Sequence, residues 1–215
     1  MSGLFYFCIS NTFRMTKWIG NRVSVEDING ATSIVIKPLR VWWKEILLTI
    51  WVTGFTFVGL VMIYMLASGF AGLNYDGAPT EDQVDNQIVY AIVFIGFWAY
   101  FEYKTLKALL WYRYGKELIL IDNDGFSLKK SILSYGRANR YFFENMKEFH
   151  QRKEEPTSFG NFFENAYWAL GTDSLMFTHN GKGKSFGRRL DEKTGKLLLS
   201  LIDDRVKKRL KKRKK

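Results

Sequence analysis

The chain has 215 residues, which is enough for one soluble domain and a membrane anchor and excludes a second large domain. Its formal net charge of +11 is unevenly distributed, because charges are absent from one long stretch and concentrated in the C-terminal half. This segregation is typical of a membrane protein. The single cysteine, Cys8, excludes an intramolecular disulfide framework.

The N-terminal segment, residues 1–40, is predicted to be cytoplasmic. Its short apolar run at residues 4–9 has no leading basic cluster and no small-residue cleavage site, so no cleaved signal peptide is predicted. Asn29-Gly30 breaks a polar region. Residues 33–36 are predicted to form a short strand that leads through Pro38 to the first membrane span.

Residues 41–112 are predicted to form a hairpin of two transmembrane helices. Residues 46–66 carry no charge and would make roughly 31 Å of helix, about the thickness of the hydrocarbon layer. The uncharged run at residues 88–101 gives only about 21 Å, which also suits a buried core helix. It reaches spanning length at 88–107 when Lys104 and Lys107 extend toward the headgroups.

The distribution of positive charge predicts the orientation of this hairpin. The connecting loop, residues 67–87, has acidic residues but neither lysine nor arginine, whereas basic residues flank the other ends of both spans. Positive residues remain on the cytoplasmic side. The sequence therefore predicts a two-span protein of the cytoplasmic (inner) membrane with both termini in the cytoplasm.

Antiparallel alignment of the two predicted spans suggests contacts between the helices. It places Gly59 near Gly96, where glycines would allow close packing, and Glu45 near Lys107, where the two charges would form an ion pair. Glu102 lies about one turn inside the second span and is a candidate proton-linked or partner-contacting group. The alternative is an interfacial carboxylate that pairs with Lys104 or a tyrosine.

Residues 113–206 show the short alternating segments and turn signals of an antiparallel β domain with about seven strands. A first hairpin is predicted at 117–121 and 126–133, joined by a tight turn at 123–125. Further strands are predicted at residues 140–143, 146–151, 167–170, 174–179 and 184–188. Asp191 is the predicted N-cap of a terminal amphipathic helix.

The order of these segments carries a resemblance to a known family. Its matching residues are Ile34, Ile36 and Pro38, then residues 122–133, Tyr-Gly-Arg at 135–137, and Ser-Phe-Gly-x-x-Leu-Asp at 185–191. The chain from about residue 33 onward resembles bacterial pleckstrin-homology-like membrane proteins. The resemblance implies an α+β membrane protein, in which a two-helix transmembrane hairpin precedes a small antiparallel β-sandwich or barrel capped by a C-terminal helix. It implies no shared chemistry, and the insertion-like stretch at 154–165 departs from it.

Motifs for catalysis or metal binding are weak. The fragment at residues 181–185, GKGKS, lacks the first glycine of a phosphate-binding loop, because Thr178 occupies that position, and it suits a hairpin turn. His150 and His179 are the only histidines, and neither has a partner at metal-ligand or triad spacing. We therefore predict no catalytic residue, metal site or cofactor, and no enzymatic activity.

The chain ends in a polybasic tail, residues 207–215. Each lysine or arginine near an anionic leaflet contributes about 1 kcal/mol, so contact with anionic lipid of the cytoplasmic leaflet is predicted. The alternative is a tail that is only solvated or that complements its helix dipole. No stacking motif or recognition helix indicates a dedicated nucleic-acid binder. The predicted lipid contacts are Arg188, Arg189, Lys207, Lys208, Arg209, Lys211, Lys212, Arg213, Lys214 and Lys215.

Two functions follow from these features. A non-catalytic membrane-anchored adaptor, or accessory subunit of a larger complex, would contact other integral membrane subunits. The alternative is a stand-alone module that binds anionic lipid headgroups. Phe159, Phe162, Phe163 and Trp168 are a candidate partner surface if their rings are exposed together, and core residues otherwise.

Overall fold

The computed structural model describes most of the chain and divides it into two compact units. The β unit comprises residues 1–38, 116–153 and 173–215, and the helix unit comprises residues 39–115 and 154–172. For residues 69–71, 81–88 and 213 only the backbone is described. The described residues are 16–28, 30–71, 81–152 and 169–213.

The β unit is built on two antiparallel sheets, and the described residues thus show an α+β fold. The first sheet has six strands in sequential order, β1 (Thr16–Ile19), β2 (Val23–Ile28), β3 (Ala31–Ile36), β4 (Gly115–Ile121), β5 (Gly125–Ile132) and β6 (Ala138–Phe142). The second sheet has three strands in sequential order, β7 (Met146–Gln151), β8 (Asp173–His179) and β9 (Lys182–Arg188). It is followed by the helix α3 (Glu192–Arg213).

The two helices of the helix unit are inserted between neighbouring strands of the first sheet. Strand β3 pairs with β4 in antiparallel register, with Thr32 opposite Ile121 and Ile36 opposite Glu117. The prediction treated residues 1–40 as a separate segment with one short strand. In the structure, three strands before residue 37 belong to the six-stranded sheet, so this segment is part of the β unit.

The core of the β unit follows the alternation that the strands show in sequence. Phe126, Phe177 and Phe186 are fully buried, and their rings contact one another with centroids 5.3–6.0 Å apart. The amphipathic face of α3 packs on this cluster through residues that include Leu198 and Ile202. Each buried aliphatic or aromatic side chain of this kind contributes about 1.5–3 kcal/mol to the stability of the domain.

Most predicted elements of the β domain agree with the structure. The hairpin of β4 and β5 is confirmed, and Asp191 caps α3, because its Oδ2 accepts a hydrogen bond of 2.9 Å from the Thr194 backbone N–H. The described part of the predicted tail continues α3 to Arg213. The predicted strand at 167–170 differs, since residues 169–170 are not in a strand and 167–168 lie outside the described residues.

The helix unit contains the long helices α1 (Trp42–Ala71) and α2 (Glu81–Tyr114). They pack through a small buried cluster that includes Leu48, Val52 and Leu109. Among the described residues, one helix, over Trp42–Ser68, is long and apolar enough to cross a membrane. Of the two predicted spans, the first thus matches a helix of suitable length and composition. In α2, charged residues interrupt the apolar run after residue 101.

Candidate membrane-contact site

Large apolar side chains cover the outer surfaces of α1 and α2. Phe57 is 68% exposed on α1, and Phe97 is 64% exposed on α2. Monomeric soluble proteins rarely expose contiguous apolar patches larger than a few hundred Å². Surfaces of this kind contact lipid or another protein. Further exposed apolar residues on the two helices include Ile50, Leu60, Tyr64, Met65, Tyr90, Ile92 and Val93.

The Trp98 ring of α2 packs against Gly59 of α1. A Cβ atom on Gly59 would collide with the Trp98 ring, so the ring occupies the space that a larger side chain would need. The Trp98 Nε1–H also donates a hydrogen bond of 3.0 Å to the Phe55 carbonyl. The predicted Gly59–Gly96 contact differs from the structure, in which a Cβ on Gly96 would meet nothing within 4 Å. Sequence alignment of the spans did not include the rotation of each helix about its axis.

The predicted ion pair between Glu45 and Lys107 is also replaced by other contacts. Arg40 forms two hydrogen bonds with the Glu45 carboxylate, of 2.9 and 3.1 Å. The Lys107 ammonium lies 5.6 Å from the centre of the Tyr103 ring. Arg40 is five residues from Glu45 on the same segment, so this local pair forms without any requirement on helix alignment.

Glu102 makes a polar contact between the two helices. The Thr56 hydroxyl of α1 lies 2.5 Å from Glu102 Oε1, and it also lies 2.8 Å from the Val52 carbonyl. Glu102 Oε2 is buried and has no hydrogen-bond partner in the described part of the chain. The alternative pairing of Glu102 with Lys104 is not seen, because the Lys104 ammonium lies over the Tyr100 ring at 5.4 Å. Glu102 thus contacts α1 at Thr56, about one turn beyond the predicted level at residues 52–53.

Cations and aromatic rings pair near the ends of α1 and α2 that connect to the β unit in sequence. The Lys44 ammonium lies 5.4 Å from the centre of the Trp43 ring, in addition to the pairs at Lys104 and Lys107. Amphipathic rings and long basic side chains with an apolar stem are typical of the membrane–water interface. These pairs mark one end of the helix pair as a candidate interfacial zone.

The predicted lipid-contacting residues differ in their availability. Arg188 is only 17% exposed, and its Nε lies 3.3 Å from Asp173 Oδ1. Arg209 donates hydrogen bonds to the Asn123 side chain, at 3.0 Å, and to the Gly30 carbonyl. Both arginines therefore hold parts of the β unit together.

Four of the predicted lipid contacts are exposed lysines of α3, and three of these form no ion pair with a described residue. Lys208, Lys211 and Lys212 are the three without an ion pair, whereas Lys207 is exposed but lies 2.5 Å from Asp203 one turn earlier. For Arg213 the backbone alone is described, and Lys214 and Lys215 lie outside the described residues. The candidate partner surface of Phe159, Phe162, Phe163 and Trp168 also lies outside them.

Sequence reasoning missed a buried carboxylate that organises the β unit. Glu117 is 1% exposed, and its carboxylate accepts hydrogen bonds from the backbone N–H groups of Gly187, at 2.7 Å, and Arg188, at 3.0 Å. Burial raises the pKa of Glu117 above its ordinary value, although the Lys130 cation acts in the opposite direction. The sequence did carry a signal, because Glu117 is in phase with Ile119 on the buried face of β4.

Asp173 forms a second polar cluster beside Glu117. Its Oδ2 lies 2.5 Å from the Lys130 ammonium and accepts a hydrogen bond of 2.8 Å from the Ser185 hydroxyl. Burial acts to raise the pKa of Asp173, but Lys130, Arg188 and Ser185 together outweigh it and keep this pKa below its ordinary value. These groups lie on β5, β8 and β9, so the cluster ties the two sheets together.

Neither cluster has the composition of a metal centre. Within the described ranges, no group of three or more histidine, cysteine, aspartate or glutamate side chains is placed to hold a metal ion. Comparison of the chain with protein-family models, curated proteins and solved structures finds no significant match.

Proposed function

We propose that this chain is a non-catalytic adaptor or accessory subunit anchored in the bacterial cytoplasmic membrane by two helices, α1 and α2. The exposed apolar surface of these helices supports the anchor, because it would be covered by lipid and by the helices of a partner. The two sheets and α3 agree with the architecture that the pleckstrin-homology-like resemblance implies, and we include that kinship in the proposal.

The pairing of β3 with β4 is the observation that supports α2 as a second membrane span. These strands are hydrogen-bonded neighbours and must lie on the same side of a membrane. The segment between them must therefore cross the membrane an even number of times. If α1 crosses, the chain has to return, and α2, with 34 residues, is long enough to do so.

Charge supports the orientation of this anchor. Basic residues such as Arg40, Lys44 and Arg113 lie at the ends that connect to the β unit, and the connection between the helices contains none. The positive-inside rule then places the β unit, and both termini, in the cytoplasm. In that position the unit contacts cytoplasmic portions of partner subunits while the helices contact their membrane portions.

Partner capture tests the adaptor function. The tagged full-length chain is solubilised from its native membrane in mild detergent, captured, and analysed by mass spectrometry. We expect one or more integral membrane proteins in fixed proportion, retained as salt is raised, because an apolar interface within the membrane is insensitive to ionic screening.

A variant with Lys208→Gln, Lys211→Gln and Lys212→Gln provides the matched comparison. The adaptor function predicts that this variant retains the same partners. A chain recovered alone, with anionic lipid that the variant loses, would contradict the adaptor and favour the lipid-binding module.

A further inference from the structure

A basic cleft lies in the β unit between the start of β6 and the turn that joins β8 to β9. Its volume is about 530 Å³. The side chains of Arg137, Arg140, Lys182 and Lys184 line it, together with His179. Among the described residues that line the cleft there is none of the predicted lipid contacts, which are Arg188, Arg189 and the polybasic tail. The cleft is therefore a different basic surface.

Strand geometry explains why these lysines share the cleft. Asn180 and Gly181 form the two-residue turn between β8 and β9, with φ of +51° and +73°, and His179 pairs with Lys182 across it. Lys182 and Lys184 are two residues apart on β9, so both point to the same face of the strand. The GKGKS fragment at residues 181–185 thus forms part of this hairpin and lies along one edge of the cleft.

Backbone contacts hold the turn in place. The Asn180 N–H donates a hydrogen bond of 3.2 Å to the Asn145 carbonyl, which precedes β7. His179 packs against Tyr141 of β6 with ring centroids 5.0 Å apart. These contacts fix the positions of β6 and β9, whose cationic side chains line the cleft. The cleft is therefore formed before any ligand binds, as is usual for a binding site.

The charge in the cleft is only partly compensated. Arg140 lies 2.8 Å from Asp122 and 3.7 Å from Asp124. Arg137, Lys182 and Lys184 form no ion pair with any described residue, and no acidic residue lines the cleft. Three cations without counter-ions in one concave site favour an anionic occupant.

We propose that this cleft binds a phosphate-bearing anion, either a free phosphate compound or a lipid headgroup. Arginine and lysine donate charge-assisted hydrogen bonds to phosphate oxygens, and the guanidinium of Arg137 can do so in a bidentate manner. The cleft volume lies in the usual range for small-ligand sites of about 300–1,000 Å³. This binding does not depend on the adaptor function proposed above.

The test uses the full-length protein in nanodiscs or detergent, with two probes. Calorimetric titration with pyrophosphate measures binding of a free phosphate compound. Native mass spectrometry after extraction from mixed nanodiscs measures retention of phosphatidylglycerol over phosphatidylcholine. The cleft variant is Arg137→Glu with Lys182→Glu, and the matched control is Lys147→Glu with Lys193→Glu, two exposed lysines of the β unit outside the cleft.

We expect the wild-type chain and the control to bind at least one probe. We expect the cleft variant to bind that probe with an affinity lower by roughly tenfold or more. Response to pyrophosphate identifies a free phosphate compound as the ligand, and response to phosphatidylglycerol alone identifies a headgroup. The milder pair Arg137→Gln and Lys182→Gln gives the same readout if charge reversal impairs folding. Binding of neither probe, or equal loss in the control, would overturn the proposal.

Discussion

The two units of this protein use the same aromatic residue types in opposite ways. Phe126, Phe177 and Phe186 of the β unit are completely buried, whereas Phe57 and Phe97 of the helix unit are more than 60% exposed. In the β unit these rings are removed from water, and their burial stabilises the fold. The helix unit leaves such surface exposed, and in the proposed function lipid or a partner covers it. This difference is what the proposed membrane anchor predicts.

The largest effect expected from this comparison is the release of the β unit from the membrane. In the register of β3 and β4, Lys37 and Lys116 are the next opposing pair after Ile36 and Glu117. Replacing residues 38–115 by Asn-Gly would therefore join the two strands through a two-residue hairpin turn. We expect the shortened chain to be soluble and folded, with the full chain in the membrane pellet as the control. Circular dichroism and sedimentation check this, and an unfolded or aggregated product would show that the units are not independent.

Within the β unit, the buried aromatic cluster should carry much of the stability. Phe177→Ala is expected to lower the free energy of unfolding by about 3–5 kcal/mol, since it removes a fully buried ring and leaves a cavity. The control is Phe142→Ala, at a ring that is 51% exposed, with an expected change within about 0.5 kcal/mol. Chemical unfolding of both variants measures the difference. Equal effects would contradict the assignment of the core.

The polar cluster at Asp173 should give a smaller effect that depends on pH. Asp173→Asn removes the ion pairs with Lys130 and Arg188 and is expected to cost about 1.5–3 kcal/mol at neutral pH. Because the pKa of Asp173 is lowered in the folded state from the ordinary 3.8, its stabilisation is present above that pH and is lost as the pH falls below it. Unfolding at several pH values should show the variant and the wild type converging in acid. A constant difference across pH would refute this role.

The smallest predicted effect concerns the contact between α1 and α2. Gly59→Leu would collide with the Trp98 ring and should destabilise the helix pair by about 1–3 kcal/mol. Gly54→Leu on the same helix is the matched control, because a side chain there meets nothing within 4 Å. Disulfide crosslinking between α1 and α2 in membranes measures the packing. Similar crosslinking in both variants would contradict the Gly59–Trp98 contact.

The parts of the fold that local patterns specify were predictable, and those that depend on long-range pairing were not. Alternation and turn residues predicted the β4–β5 hairpin, and the N-cap Asp191 predicted the start of α3. Strands β1 and β2 were missed, because their polar and charged residues acquire a strand conformation through long-range pairing, of β1 with β2 and of β2 with β3.

The candidate site shows the same limit. The apolar stretch of α1 was evident from composition alone. The partners of Gly59, Glu45 and Glu102 depend on how each helix is rotated and how the two are aligned, which hydropathy does not specify. Glu117 could have been identified, because its position in the alternation of β4 places a charge among buried residues.

The central claim is that α1 and α2 both cross the membrane and leave the β unit in the cytoplasm. Cysteine accessibility tests it in a chain with Cys8→Ser, using Ala78→Cys between the helices and Lys193→Cys on α3. In intact spheroplasts an impermeant maleimide should label the cysteine at position 78, whereas the cysteine at position 193 should react only after lysis. Labelling of both positions from the same side of the membrane would contradict the two-span anchor.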